Sequence, residues 1–200
     1  MSRLFTFTGA QGVGKTTILN EVIKEYKDMD VITNVVRRLH DSGIKINKKG
    51  NGKTQQLIYD TLKKEYINFL YNDHFLYNSR EDVNSGCISD RSLVDVVAYT
   101  KYLYEQGKAS KSSYEEQLKD LKEWAIYHRY GCKYIYIPIE FSAVEDGVRD
   151  VDEEYRIEID NNIRWLLQEC EIDYYVLEGT IEERTEMMKN IIEFNKIGDQ

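Results

Sequence analysis

The stretch GAQGVGKTT, Gly9–Thr17, follows the short apolar run Leu4–Thr8 and leads into an amphipathic segment that begins at Lys15. It matches G-x-x-x-x-G-K-[ST] in full, with a strand before it and a helix after it, as that pattern requires. Each position has a physical reason. The glycines at 9, 12 and 14 permit positive φ and close approach of backbone to a ligand. Amides that turn inward form an anion-binding nest, reinforced by the positive end of the helix that follows. Lys15 can set its ammonium against β- and γ-phosphates, and Thr16 can ligate Mg²⁺. A chance match occurs in about 1% of sequences of this length, and the flanking strand and helix lower that further. The phosphate-binding set is therefore Gly9, Gln11, Gly12, Val13, Gly14, Lys15, Thr16 and Thr17, for ATP.

Outward from this loop, apolar runs alternate with long amphipathic segments. Strands are predicted at 4–8, 31–36, 87–89, 134–137 and 174–177, the fourth closed by Pro138, which cannot donate to a sheet ladder. Helices are predicted at about 15–26, 54–77, 93–104, 114–130, 152–168 and 181–194 from 3.6-residue spacing of apolar positions. Strands separated by crossover-length helices imply right-handed βαβ units and a parallel sheet covered on both faces. The expected fold is a single α/β domain with a five-stranded parallel sheet of order 2-3-1-4-5. Ligands in such sheets bind beyond the carboxyl ends of the strands, so the residues just after each strand matter most.

After the third strand comes Asp90-Arg91. An acid there can hold Mg²⁺ or accept a hydroxyl proton, and the arginine can reach an acceptor. Arg37 and Arg38 follow the second strand, where one of them can bind an acceptor phosphate or carboxylate. In EDGVRDVDEEYRIEIDNNIRW, residues 145–165, Arg149, Arg156 and Arg164 fall on roughly one helix face. Arg149 and Arg156 are expected to close from a lid, about 142–165, over the γ-phosphate, and Arg164 to be exposed on the helix and pair with one of its acids, Asp152, Glu153 or Asp160. Lys45, Lys48, Lys49 and Lys53 read as a solvated loop, with a flap over a polyanionic acceptor as the sharper alternative. Tyr59, Tyr66, Tyr71 and Tyr77 read mostly as packing residues, with stacking on a base as the alternative for any of them, and His40, His74 and His128 carry no expected chemistry. Glu140 and Glu145 are loop acids that could assist Mg²⁺ or the base region.

A phosphate loop alone leaves open where the phosphoryl group goes. A GTPase would need D-x-x-G after a strand and an N-K-x-D reader. NKIGDQ, residues 195–200, has one residue too many and follows the last strand. A remodelling ATPase would need an apolar strand ending in adjacent acids and a further helical domain, and neither is visible. A small kinase needs an acid on the magnesium side, cations for the acceptor and a lid, and the chain supplies candidates for all three.

The phosphate loop, ISDRSLVDVVAY (88–99) and DGVRDVDEEYRIEIDNNIRWLL (146–167) together resemble the AAA_28 group of P-loop proteins. That group includes the kinase domain of NadR-type ribosylnicotinamide kinases and phage-encoded nucleotide-kinase-like proteins. The D-R-S triplet is also similar to the D-R-[YH] of thymidylate kinases and the E-R-S of deoxynucleoside kinases. The resemblance spans roughly residues 4–180. It implies phosphoryl transfer, with Asp90 near Mg²⁺ or the acceptor hydroxyl and Arg91 orienting the acceptor.

The expected reaction is transfer of the γ-phosphoryl of Mg-ATP to a nucleoside, nucleotide or related small acceptor. A kinase acting on nucleic-acid ends or a modified base, and a non-transferring regulatory ATPase, are the rivals. The net charge of −8 argues against a general nucleic-acid coat. Cys87, Cys132 and Cys170 fit no metal or disulfide spacing and read as reduced thiols. With no run of membrane-span length, the chain is expected to be cytoplasmic and free of membrane contact. A homodimer stays open as its assembly.

Overall fold

The computed structural model describes residues 3–76, 86–140 and 152–197. Five strands, β1 (Leu4–Thr8), β2 (Asp30–Ile32), β3 (Cys87–Ser89), β4 (Cys132–Tyr136) and β5 (Tyr174–Val176), form one parallel sheet of order β2-β3-β1-β4-β5. Leu4 pairs with Cys87 on one side and with Cys132 on the other, which puts β1 at the centre. All five residues of β1 are buried although successive side chains point to opposite faces, so both faces are covered. The expected α/β architecture, with a five-stranded parallel sheet in that strand order, is what the described residues adopt.

The helices are α1 (Lys15–Glu25), α2 (Val35–Asp41), α3 (Gly52–Leu76), α4 (Leu93–Glu105), α5 (Lys111–Tyr127), α6 (Glu153–Glu169) and α7 (Ile181–Ile197). α1 packs with α7, and α4 packs with α3, α5 and α6. In α4 every residue from Leu93 to Thr100 is buried, the signature of a helix enclosed on all sides. A 3₁₀ turn, Asn47–Lys49, lies between α2 and α3.

The second strand is shorter than its apolar run suggests. It was expected over 31–36 but ends at Ile32. Asn34 takes a left-handed conformation, φ 62°, that turns the chain into α2, and Val35 enters the core from the helix rather than from a strand. A run of β-branched residues cannot reveal this, because burial satisfies them in either element. Of the expected lid, 142–165, residues 142–151 lie outside the described residues, and 153–165 belong to α6. Arg149, Glu145 and Tyr77 lie outside them too, as does the side chain of His74. Cys87, Cys132 and Cys170 are free and buried. Among the described residues no helix is long and apolar enough to cross a membrane.

Candidate active site

The phosphate loop leaves the buried end of β1 and enters α1. Gly12 and Gly14 have φ of 77° and 94°, and Gly14 N-caps α1 without a side-chain bond to the first turn. No acid occupies that turn, so no carboxylate competes for the helix N-terminus and its amides stay available to an anion. Residues Gln11 to Thr17 enclose a cavity of ≈ 70 Å³. Lys15 folds over it, donating to Gly9 O at 2.5 Å and Ala10 O at 2.8 Å. Thr16 and Thr17 are exposed.

The first amide of the loop is fixed from α4. Ser92 N-caps that helix, accepting from Asp95 N at 3.1 Å, and Asp95, fully buried, turns back to the sheet. Its Oδ1 accepts from the Thr8 hydroxyl at 2.5 Å and from Gly9 N at 3.0 Å. The D-R-S triplet thus divides its work: Ser92 starts the helix that brings Asp95 to the loop, and Asp90 and Arg91 face outward.

Asp90 and Arg91 line a cleft of ≈ 150 Å³ together with Thr16 of the phosphate loop, Asn34, Arg37 and Asn47, above an apolar floor that includes Val35 and Ile46. Asp90 Oδ2 accepts from Asn34 N at 3.3 Å, and Asp90 N donates to Ile32 O at 3.1 Å. Burial raises the Asp90 carboxyl above its ordinary value of 3.8, against the opposing pull of Arg91, the Asn34 amide and Lys15. The Arg91 guanidinium stands 5.3 Å from the centre of the Tyr99 ring. Its backbone carbonyl accepts from the hydroxyls of Tyr66 and, at 2.8 Å, Ser89. Tyr66, expected mainly to pack, also holds the turn that carries the acid and the arginine.

The two arginines after β2 part company. Arg37 is exposed and lines the cleft, whereas Arg38 pairs with Glu65 on α3. Lys48 pairs with Asp152, the N-cap of α6, and lies 4.9 Å from the Tyr155 ring centre. Lys45, Lys49 and Lys53 are exposed. Tyr59 donates to Asp120 at 2.7 Å, away from the cleft, and His128 lies against Trp124.

Arg156 is not on an exposed helix face. It is 0% exposed, and its Nε donates to Gln11 O at 3.0 Å, so it meets the loop from outside. Arg164 forms the expected ion pair with Asp160, at 3.0 Å. Asp160 is itself buried, takes the Tyr136 hydroxyl at 2.9 Å, and burial raises its carboxyl. Arg184 of α7, to which sequence reading gave no role, donates to Val13 O at 2.8 Å and to Glu140 at 2.5 Å. Glu140 Oε2 also accepts from Gly179 N at 2.9 Å. Asp95 could have been noticed as the one charge in LVDVVAYT, 93–100. Nothing in EERTEMMK, 182–189, marks Arg184, and the left-handed backbone at 34 and 47 shows in sequence only as asparagine, a residue type that tolerates it.

Among the described residues no three His, Cys, Asp or Glu side chains are grouped to hold a metal. Mg²⁺ does not need such a group, since it keeps several waters and binds through one or two protein oxygens plus substrate phosphates. Thr16 and Asp90, lining the same cleft, fit that demand.

No curated protein matches the chain. Among solved structures, a NadR protein in complex with NR superposes with TM-score 0.71 at 16% identity, covering 98% of this chain and 52% of that one. A second NadR structure, with NAD and AMP-PNP, is covered over 50% of its length, so the chain spans about half of these relatives. Deoxyadenosine kinase from M. mycoides, with products dCMP and dCDP, gives TM-score 0.58 at 13% identity over 95% of this chain and 98% of that one. Thymidylate kinase from Candida albicans gives 0.59 at 14% identity over 98% and 92%. At these identities the likeness is one of fold. A family model described as AAA domain, AAA_28, matches residues 4–184. That match takes in the phosphate loop, the Asp90-Arg91 cleft and both arginines behind the loop, and the chain belongs to the AAA_28 family.

Proposed function

We propose that the protein is a kinase that moves the γ-phosphoryl group of Mg-ATP to a nucleoside, nucleotide or related small acceptor. One observation carries the reading. The phosphate loop and a second cleft share Thr16, and the wall of that cleft holds an acid, Asp90, and two arginines, Arg37 and Arg91. Hydrolysis needs only the first compartment; transfer needs both.

In this reading Lys15 and the inward amides neutralise charge on the transferring group. Bound Mg²⁺, held by Thr16 and on the Asp90 side, would supply further charge neutralisation at the phosphates. The acceptor hydroxyl gives its proton to Asp90 as its oxygen bonds to the γ-phosphorus. The bond from that phosphorus to the bridging oxygen breaks, and ADP leaves with the electron pair. Arg91 orients the acceptor, with its guanidinium set by Tyr99, and Arg37 reaches an anionic group at the mouth of the cleft. Arg38, engaged with Glu65, contributes little. Arg149 completes the reading as the lid arginine, while 153–165, which lies in α6, stays part of the packed domain.

ADP formation should be measured against nucleosides, nucleoside monophosphates, nicotinamide riboside and DNA ends. The expected result is stimulation by one small acceptor, with a phosphorylated product. Stimulation by DNA ends alone, with steep salt dependence, would make the protein a polynucleotide kinase instead. Slow ATP hydrolysis indifferent to every acceptor would make it a regulatory ATPase.

A further inference from the structure

Two arginines from different helices end on outward carbonyls of the phosphate loop, and both are 0% exposed. Arg156 Nε donates to Gln11 O at 3.0 Å, and Arg184 Nη1 donates to Val13 O at 2.8 Å. Each guanidinium meets an acid with its other nitrogens: Glu153 lies 2.5 Å from Arg156, and Glu140 lies 2.5 Å from Arg184. A fully buried arginine is uncommon, and desolvating it is expensive even when it is paired. Two of them behind one nine-residue loop call for a reason beyond tying helices down.

The carbonyls they choose supply that reason. Gln11 O belongs to the peptide unit whose other end is Gly12 N–H, and Val13 O to the unit that ends in Gly14 N–H. Gly12 and Gly14 line the phosphate cavity with positive φ, and a glycine peptide plane is the easiest of all to rotate. A cation hydrogen-bonded to the oxygen of such a unit fixes the plane. It also polarises the unit, which makes the opposite N–H a stronger donor.

We propose that Arg156 and Arg184 are positioning residues that act through the peptide units of Gly12 and Gly14, holding both N–H groups toward the nucleotide phosphates without touching them. The inference rests on the reading of this loop as the ATP site and gives Arg156 a role other than that of a lid arginine.

The test compares the affinity of ATP with that of adenosine, which lacks phosphates. Wild type should be titrated beside Arg156→Met with Glu153→Gln, Arg184→Met with Glu140→Gln, and the single variants Arg156→Lys and Arg184→Lys. The double substitutions avoid leaving an unpaired acid. ATP affinity should fall about tenfold in each Met variant while adenosine affinity stays within about twofold, and lysine should restore part of the loss. Equal losses for ATP and adenosine would mean that the arginines only hold the fold, and would overturn the proposal. So would unchanged ATP affinity in a folded variant. If wild type itself binds no ATP, the reading of the loop fails and this inference fails with it. A crystal structure of wild type with Mg²⁺ and a non-hydrolysable ATP analogue tests the same point without any variant. Both guanidinium groups should stay on Gln11 O and Val13 O, and either one found on a phosphate oxygen would overturn the proposal.

Discussion

On the phosphate side, three helices reach in to hold one loop. Asp95 of α4 takes Thr8 and Gly9, Arg156 of α6 takes Gln11, and Arg184 of α7 takes Val13, all from buried positions. On the side proposed for the acceptor, the cleft is walled by Asn34, Arg37 and Asn47, all at least partly exposed, and Asn34 N donates to Asp90 at its wall. Under the proposed function the contrast follows from what each side would bind. A triphosphate presents the same oxygens every time, so a stiff, pre-oriented nest loses nothing by being rigid. An acceptor must enter, meet Asp90 and leave, which favours an open wall with few internal bonds.

The largest effect should come from the stiff side. Lys15→Ala should lower phosphoryl transfer about a thousandfold, as removal of a group that stabilises transition-state charge does. A loss below about tenfold would mean that the loop is not where the chemistry occurs. Asp90→Asn comes next and marks the border between the two sides. It should lower kcat about a hundredfold and leave ATP affinity near wild type. If ATP affinity falls by the same factor, Asp90 belongs to the phosphate side only.

Asp90 also sets a pH dependence. Burial holds its carboxyl above 3.8, so the folded protein keeps this proton more readily than the unfolded chain does. Its contribution to stability is present below 3.8 and is lost as pH rises through the raised value. As the proposed base, Asp90 needs its deprotonated form, so kcat/KM for the acceptor should rise over that same interval, and its acid limb should lie above an ordinary aspartate's. The pH profile of unfolding in wild type against Asp90→Asn checks the first half, and a kinetic profile checks the second.

A purely structural probe separates the loop's rigidity from its charge. A Cβ on Gly9 would lie 2.5 Å from Ile137 O, with φ at +154°. Because the clash is with backbone, Gly9→Ala should cost roughly 2 kcal/mol of stability, read by chemical denaturation. A neutral result would show that the junction of β1 and the loop yields easily.

Smaller effects should appear on the open side. Arg37→Ala should raise the acceptor KM about tenfold and leave kcat little changed. Arg38→Ala should change it less than about twofold, because an exposed ion pair contributes little and the side chain faces Glu65. Equal effects of the two substitutions would erase the distinction between them.

The same division decides what the sequence could reveal. The phosphate loop is local: its glycines, lysine and threonine follow one another and have one physical reading. Asp90 and Arg91 were visible because strand ends are where such sheets bind ligands. The supports of the loop were hidden because their meaning lies in distant partners. Arg184 is 171 residues from Val13 and looks like any charge on a surface helix. Arg156 drew notice for its spacing with other arginines, yet spacing does not tell an exposed face from a buried one. The acceptor wall was less legible still. It depends on left-handed backbone at Asn34 and Asn47, and the apolar residues beside Asn34 read as a longer strand.

The central claim is that the phosphoryl group goes to an organic hydroxyl rather than to water, and turnover of ATP in oxygen-18 water tests it most directly. With the right acceptor present, the account predicts a phosphorylated product carrying no solvent oxygen, with yield matched to ADP and lost in Asp90→Asn. Inorganic phosphate bearing one solvent oxygen, formed at the same rate whatever acceptor is added, would contradict it.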